Sequence, residues 1–164
     1  GFPNTGVTIG SSYYSAGDIA LDFGANGTWD YGIEIGGHNS GYGGYSGTPG
    51  HIYKGITWQP VTNWGGVSFP LYMSSAATDA GTASGFVYNH IYSNINPDYD
   101  HWVVELSIPK SVFGSDWSEY GIAHWTMSCG NDNINVNTTP EPMSMALLGG
   151  GLFILLGSRL RKRK

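Results

Sequence analysis

With twelve Asp and Glu against seven Lys and Arg in 164 residues, the chain carries a net charge of −5, and its single cysteine, Cys129, excludes an intramolecular disulfide. The charge is uneven: of the seven basic residues only Lys54 and Lys110 precede Pro142, so the first 142 residues carry −10 and the tail +5. So acidic a body disfavours nucleic acid as a partner, and none is expected, because phosphate binding needs clustered Lys and Arg.

Twenty-six glycines, six tryptophans and eleven tyrosines in a chain only 12% charged point away from helices. Gly-rich turns between short aromatic and β-branched runs predict an all-β domain instead. Residues 1–130 are read as that domain and are long enough to bury a core. The first seventeen residues, rich in Gly, Ser and Tyr, enter it as an edge strand or loop. Residues 18–23 alternate, with Ile19, Leu21 and Phe23 on one face and Ala20 and Asp22 on the other. After the turn-forming Asn26-Gly27, Tyr31, Ile33 and Ile35 alternate with Gly32 and Glu34, so the default reading is a hairpin. Residues 36–50 form a long Gly-rich loop. A strand is expected over 51–58, a turn at Gln59-Pro60, and a strand over 67–73 whose Pro70 suits an edge. Residues 74–84 are small and polar, a loop or one helical turn; 85–92 read as a strand and 93–100 as a loop.

The clearest alternation comes last. Over 101–108, Trp102, Val104, Leu106 and Ile108 share a face, and Pro109 ends the run ahead of a short turn or helical stub at 110–114. Over 120–129, Ala123, Trp125, Met127 and Cys129 share a face, and both tryptophans are expected in the core. The Asn- and Thr-rich residues 131–139 read as a polar linker. Eight or so short strands with polar outer faces fit a two-sheet antiparallel β-sandwich, jelly-roll-like.

Two constellations carry candidate chemistry. Asp22, Asn26, Asp30 and Glu34 recur every four residues around a Gly-rich turn, and crowded oxygens of this kind suit Ca²⁺. Asn and Asp are equally the residues that build turns, and the set does not follow the EF-hand order. Trp29, Tyr31, Trp58 and Trp64 sit near turns, where rings can stack on the flat faces of sugars and neighbouring polar groups can bond the hydroxyls. Against this stands the core, which consumes most aromatics of a β-domain. The five histidines have no H-x-H or H-E-x-x-H spacing, no G-x-S-x-G occurs, and no cofactor is assigned. The chain is therefore read as a non-enzyme.

The last 25 residues are organised differently. Pro140-Glu141-Pro142 interrupts any regular element. The run from Met143 to Gly157 carries no charge, and Arg159, Arg161, Lys162, Arg163 and Lys164 follow. Fifteen uncharged residues span roughly 22 Å as a helix, short of a ~30 Å hydrocarbon core, and Arg159 extends the span by snorkelling. A transmembrane helix over 143–158 with a basic cytoplasmic end over 159–164 is expected. The chain opens with Gly1 and no apolar leader, and a tail of this kind requires export, so either a signal peptide is expected to have been removed or the sequence is a fragment.

In its three consecutive parts (PEP motif, short apolar segment, Arg-rich end) this tail resembles a PEP-CTERM sorting signal. The resemblance implies recognition by an exosortase in the inner membrane of a Gram-negative bacterium that makes exopolysaccharide. It further implies processing near the motif and delivery to the cell surface or extracellular matrix. More loosely, residues 17–22, 29–33 and 104–109 (VELSIP) resemble strands of family 9 carbohydrate-binding and DOMON-like sandwiches, which implies a polysaccharide-binding body. A structural surface or biofilm protein without a small ligand and a secreted glycan-active hydrolase are the alternatives.

Overall fold

The computed structural model describes residues 6–36, 47–62, 65–76, 78–91, 101–118 and 120–138. The protein is all-β, organised around a six-stranded antiparallel sheet. In chain order the strands are β1 (Val7–Ile9), β2 (Ser12–Tyr14), β3 (Ile19–Phe23), β4 (Tyr31–Ile33), β5 (His51–Lys54) and β6 (Thr57–Thr62). They continue with β7 (Ser68–Ser75), β8 (Thr78–Thr82), β9 (Ser84–Ile91), β10 (His101–Ser107), β11 (Gly121–Thr126) and β12 (Asn133–Thr138). The large sheet runs β12-β11-β3-β4-β5-β8, and β1–β2, β6–β7 and β9–β10 are separate two-stranded ribbons.

Residues directly opposite in an antiparallel pair share a face. The pairs Ile19↔Ile33, Leu21↔Tyr31, Ile33↔Ile52 and Ala123↔Leu21 therefore gather the apolar set of each strand on one side of the sheet. There Tyr31, Ile33, Ile52, Ala83 and Phe113 form the buried cluster, with Leu106 and Ile108 of the β10 arm packed on it. Two short 3-10 turns, Lys110–Val112 and Gly114–Asp116, deliver Phe113 and Trp117 to the Phe23 end. The rings meet edge-on, Phe23–Phe113 at 4.8 Å and Tyr31–Phe113 at 5.0 Å between centroids. The Tyr31 hydroxyl donates to Asp116 at 2.7 Å. Burial first, and then this carboxylate, push its pKa up to about 12.

The opposite face presents Ala20, Asp22, Gly32, Tyr53 and His124, and β6–β7 covers it. Gly32 lets the ribbon approach: a Cβ there would lie 2.7 Å from Ile56 Cδ1 and Met73 Sδ. Polar cross-links fix the layer. Asp18, fully buried, accepts the backbone N–H groups of Ile35 (3.2 Å) and Met73 (3.0 Å), one from each layer. Ser15 and the Tyr72 hydroxyl bond one another beside them. A buried carboxylate is tolerable in such a place only because backbone donors surround it.

Several sequence expectations change. Residues 51–58 are two strands, because Gly55 turns the chain at φ +66°. Gln59-Pro60 is no turn: Pro60 lies inside β6 opposite Pro70 of β7, next to a register shift that absorbs the missing donors. Residues 78–82 pair with β5 as a strand rather than a loop. The expected linker is also a strand over 133–138, paired along its length with β11, so the domain extends beyond residue 130. The β3–β4 hairpin, β10 and β11 fall where the alternation placed them, and β9 lies where 85–92 were read as a strand. No helix among the described residues is long and apolar enough to cross a membrane. The tail, with Pro140, Glu141, Pro142 and the basic cluster at 159–164, lies outside the described residues.

Candidate functional site: an aromatic groove

Between β10 and the β11–β12 end of the large sheet lies an open groove of about 730 Å³. Strand alternation builds both walls. Trp102, Val104 and Leu106 point from β10 toward the sheet, while Ala123 and Trp125 point back from β11. The register of β12 sets Ile134 opposite Trp125 and Val136 opposite Ala123, extending the second wall to the sheet edge. Ile19 and Ile35 also line the groove. Ile134 and Val136 are each 54% exposed, so the β12 side is a rim open to solvent. Trp102 and Trp125 are half-buried.

The groove and the buried cluster occupy the same face of the sheet, one beside the other. Phe113, Val112 and Trp117 fill the Phe23 end, whereas no described side chain takes their place between Trp102 and Trp125. Tyr88, across from Val104 on β9, packs edge-on against Trp102 at 5.8 Å and fixes the ring's pose. Burial raises the Tyr88 phenol to about 12, so it stays protonated at physiological pH. Glu105 supplies a carboxylate among the lining residues and is solvent-exposed.

The residues picked from sequence as ligand-binding lie elsewhere. Tyr31 is 2% exposed and bonded to Asp116, so it belongs to the core and cannot offer a ring face to a ligand. Trp58 is half-buried on the opposite face, over Gly32. Trp29 packs against His124 at 5.4 Å on that same face. Trp64 lies outside the described residues. Trp102 and Trp125, assigned to the core, are the tryptophans that line the groove. Alternation put each on the correct face of its strand, but periodicity does not reveal how much of that face a partner layer covers.

The candidate calcium ligands are brought together only in part. Asp22 accepts the N–H groups of Asn26 (3.0 Å) and Gly27 (2.8 Å), Asn26 accepts that of Thr28 (2.8 Å), and Asp30 accepts that of Phe23 (2.8 Å). These three residues therefore build the β3–β4 turn with the oxygens an ion would need. Glu34 sits beyond the far end of β4, where it accepts the Gly36 N–H at 3.0 Å. With Tyr31 opposite Leu21, and so Asp30 level with Asp22, it is about 13 Å along the strands from Asp22, at ~3.3 Å per residue. Among the described residues no group of three or more His, Cys, Asp or Glu is placed to hold a metal ion.

Comparison with protein-family models, with curated proteins and with solved structures gives no match to this chain.

Proposed function

We propose that the protein is an exported, exosortase-sorted surface or matrix component whose β-sandwich body holds extracellular polysaccharide in the groove between β10 and β11–β12. The sandwich in this reading consists of the six-stranded sheet and the ribbons packed on its faces. The observation that carries the ligand assignment is the pair of half-buried indoles, Trp102 and Trp125, in one open groove. Pyranose rings present flat C–H faces that stack on indole. An open trough suits a polymer segment better than an enclosed monosaccharide. The apolar lining offers few hydrogen-bond partners, so affinity per sugar is modest and binding is distributed along the chain.

Charge narrows the ligand. The first 142 residues carry −10, and Glu105 stands at the groove, so an anionic polymer is repelled at low salt and a neutral glycan is favoured. A retaining or inverting glycosidase places two carboxylates about 5–10 Å apart across the scissile bond. Glu105 is the carboxylate among the groove-lining residues, and a hydrolase would need a second one at that spacing.

The test is a titration of the full chain with neutral and acidic exopolysaccharides, followed by Trp fluorescence. Saturable quenching by the neutral polymer is expected, with Trp102→Ala or Trp125→Ala weakening it at least tenfold, about 1.4 kcal/mol. Trp58→Ala on the opposite face serves as the control and leaves the titration unchanged. No saturable response, or equal loss with Trp58→Ala, would sink the assignment and favour a structural surface protein without a small ligand.

A further inference from the structure

The two edges of the large sheet are built differently. At one end, β8 is a poor template for further pairing: its register with β5 shifts between Ile52 and Tyr53, and Asp79 is tied to His51 at 2.7 Å. Bulges and charges are the devices by which sheet edges avoid other chains. At the other end, β12 has none of them. Its six residues pair with β11 in unbroken register, and none is charged or proline. Among the described residues no strand pairs with its outer edge.

The sequence of β12 adds a second feature. Asn133-Ile134-Asn135-Val136-Asn137 reads as the same chemistry in both directions about Asn135. Antiparallel pairing of two such strands, by a two-fold axis through Asn135 perpendicular to the sheet, sets Ile134 against Val136 of the partner copy. Asn135 then meets its own counterpart, and Asn133 meets Asn137. Residues opposite one another share a face, so both apolar pairs fall on the groove side and all the Asn pairs on the other. A shift by a single residue would bring Ile and Val opposite Asn, so this chemistry selects the register. Asn135 is already oriented, its Oδ1 lying 2.7 Å from His124 Nδ1.

We propose that β12 is a self-association edge: two copies join β12 to β12 antiparallel about Asn135, making one twelve-stranded sheet. The two half-exposed apolar residues, Ile134 and Val136, then cover each other's counterparts, and the grooves of the two copies run into one another across the junction. A closed two-fold contact uses up the edge, so assembly through β12 stops at the dimer. The inference stands on β12 alone, whatever the groove binds.

The test uses the full chain in mild detergent without glycan. Sedimentation should show the protein mass rising to twice that of the chain with concentration. Val136→Lys, at an exposed position, should leave the circular dichroism spectrum and melting temperature unchanged and hold the mass at one chain. For the register, Ile134→Cys and Val136→Cys are made as separate chains in a Cys129→Ser background and oxidised. The mixture should form at least fivefold more cross-linked dimer than either chain alone, because position 134 faces 136 of the partner. A wild-type chain that stays monomeric at every concentration overturns the proposal. So does a dimer that survives Val136→Lys without preferring the mixed cross-link, since association then runs through another surface such as the apolar tail.

Discussion

His124 is 1% exposed, and its imidazole lies parallel to Phe69 at 5.3 Å, with Trp29 on it at 5.4 Å. Burial lowers its pKa, and the hydrogen bond with Asn135 offsets only part of that. The sign of the linkage follows. The unfolded chain binds a proton near pH 6.5 that the folded chain refuses, so the stabilisation is complete above that pH and is lost as pH falls. We expect stability to drop by up to about 1.4 kcal/mol per pH unit below 6.5, until the folded ring also titrates. Denaturant midpoints measured for the wild type and His124→Gln between pH 5 and 7.5 should converge as pH falls, since carboxylates contribute alike to both. Parallel curves would show that the ring titrates freely. That His124 is a buried strand histidine was legible from its place between Ala123 and Trp125; that only its Nδ1 is bonded, to Asn135, while its buried Nε2 has no hydrogen-bond partner among the described residues, was not. Nor were its aromatic neighbours, because Phe69 and Trp29 lie tens of residues away in sequence.

At the level of elements, two glycines in superficially similar roles separate backbone crowding from side-chain crowding. Gly17 leads into β3, and a Cβ there would stand 2.6 Å from the Thr126 carbonyl oxygen and 2.7 Å from that of Leu71. Both carbonyls already accept hydrogen bonds from this segment, from Gly17 N at 2.9 Å and Asp18 N at 2.8 Å, so neither can retreat without breaking the junction between β11 and β7. At Gly32 the near atoms are the ends of Ile56, Met73 and Trp58, which can turn aside. Gly32→Ala should cost about 1–3 kcal/mol, the usual range for overpacking, and Gly17→Ala more than 3 kcal/mol. Urea midpoints would check the order, and a reversed order would mean that β7 is free to shift as a unit. The same contrast explains which elements the sequence revealed. β3, β4, β10 and β11 alternate between apolar and polar residues, and their faces were readable. β8, Thr-Asp-Ala-Gly-Thr, has no such alternation, and β12 hides Ile134 and Val136 among asparagines that ordinarily mark turns. Both were strands only because a neighbour, β5 or β11, offered a free edge to pair with.

On the scale of the whole molecule, the sorting proposed above turns on which side of a membrane the acidic body would face. The charge division is the physical lever: a body of −10 and an end of +5 are separated by sixteen uncharged residues, and basic residues stay on the cytoplasmic side. Strand β12 ends at Thr138, one residue before Thr139 and two before the Pro-Glu-Pro, so the folded body runs up to the motif with almost no spacer. A processing enzyme acting at Pro140–Pro142 would therefore cut within a few residues of the end of β12. Cleavage there would release a body whose last strand is intact, with both groove walls retained. We expect chain recovered from outside the producing cells to end near Pro140 by intact mass, and to keep the melting temperature of the unprocessed form. Two results would count against this. Full-length chain found only in the inner membrane would make the tail a permanent anchor. A cut on the N-terminal side of Val136 would remove Val136, or Ile134 with it, from the rim, and the groove could not then be the feature that sorting delivers.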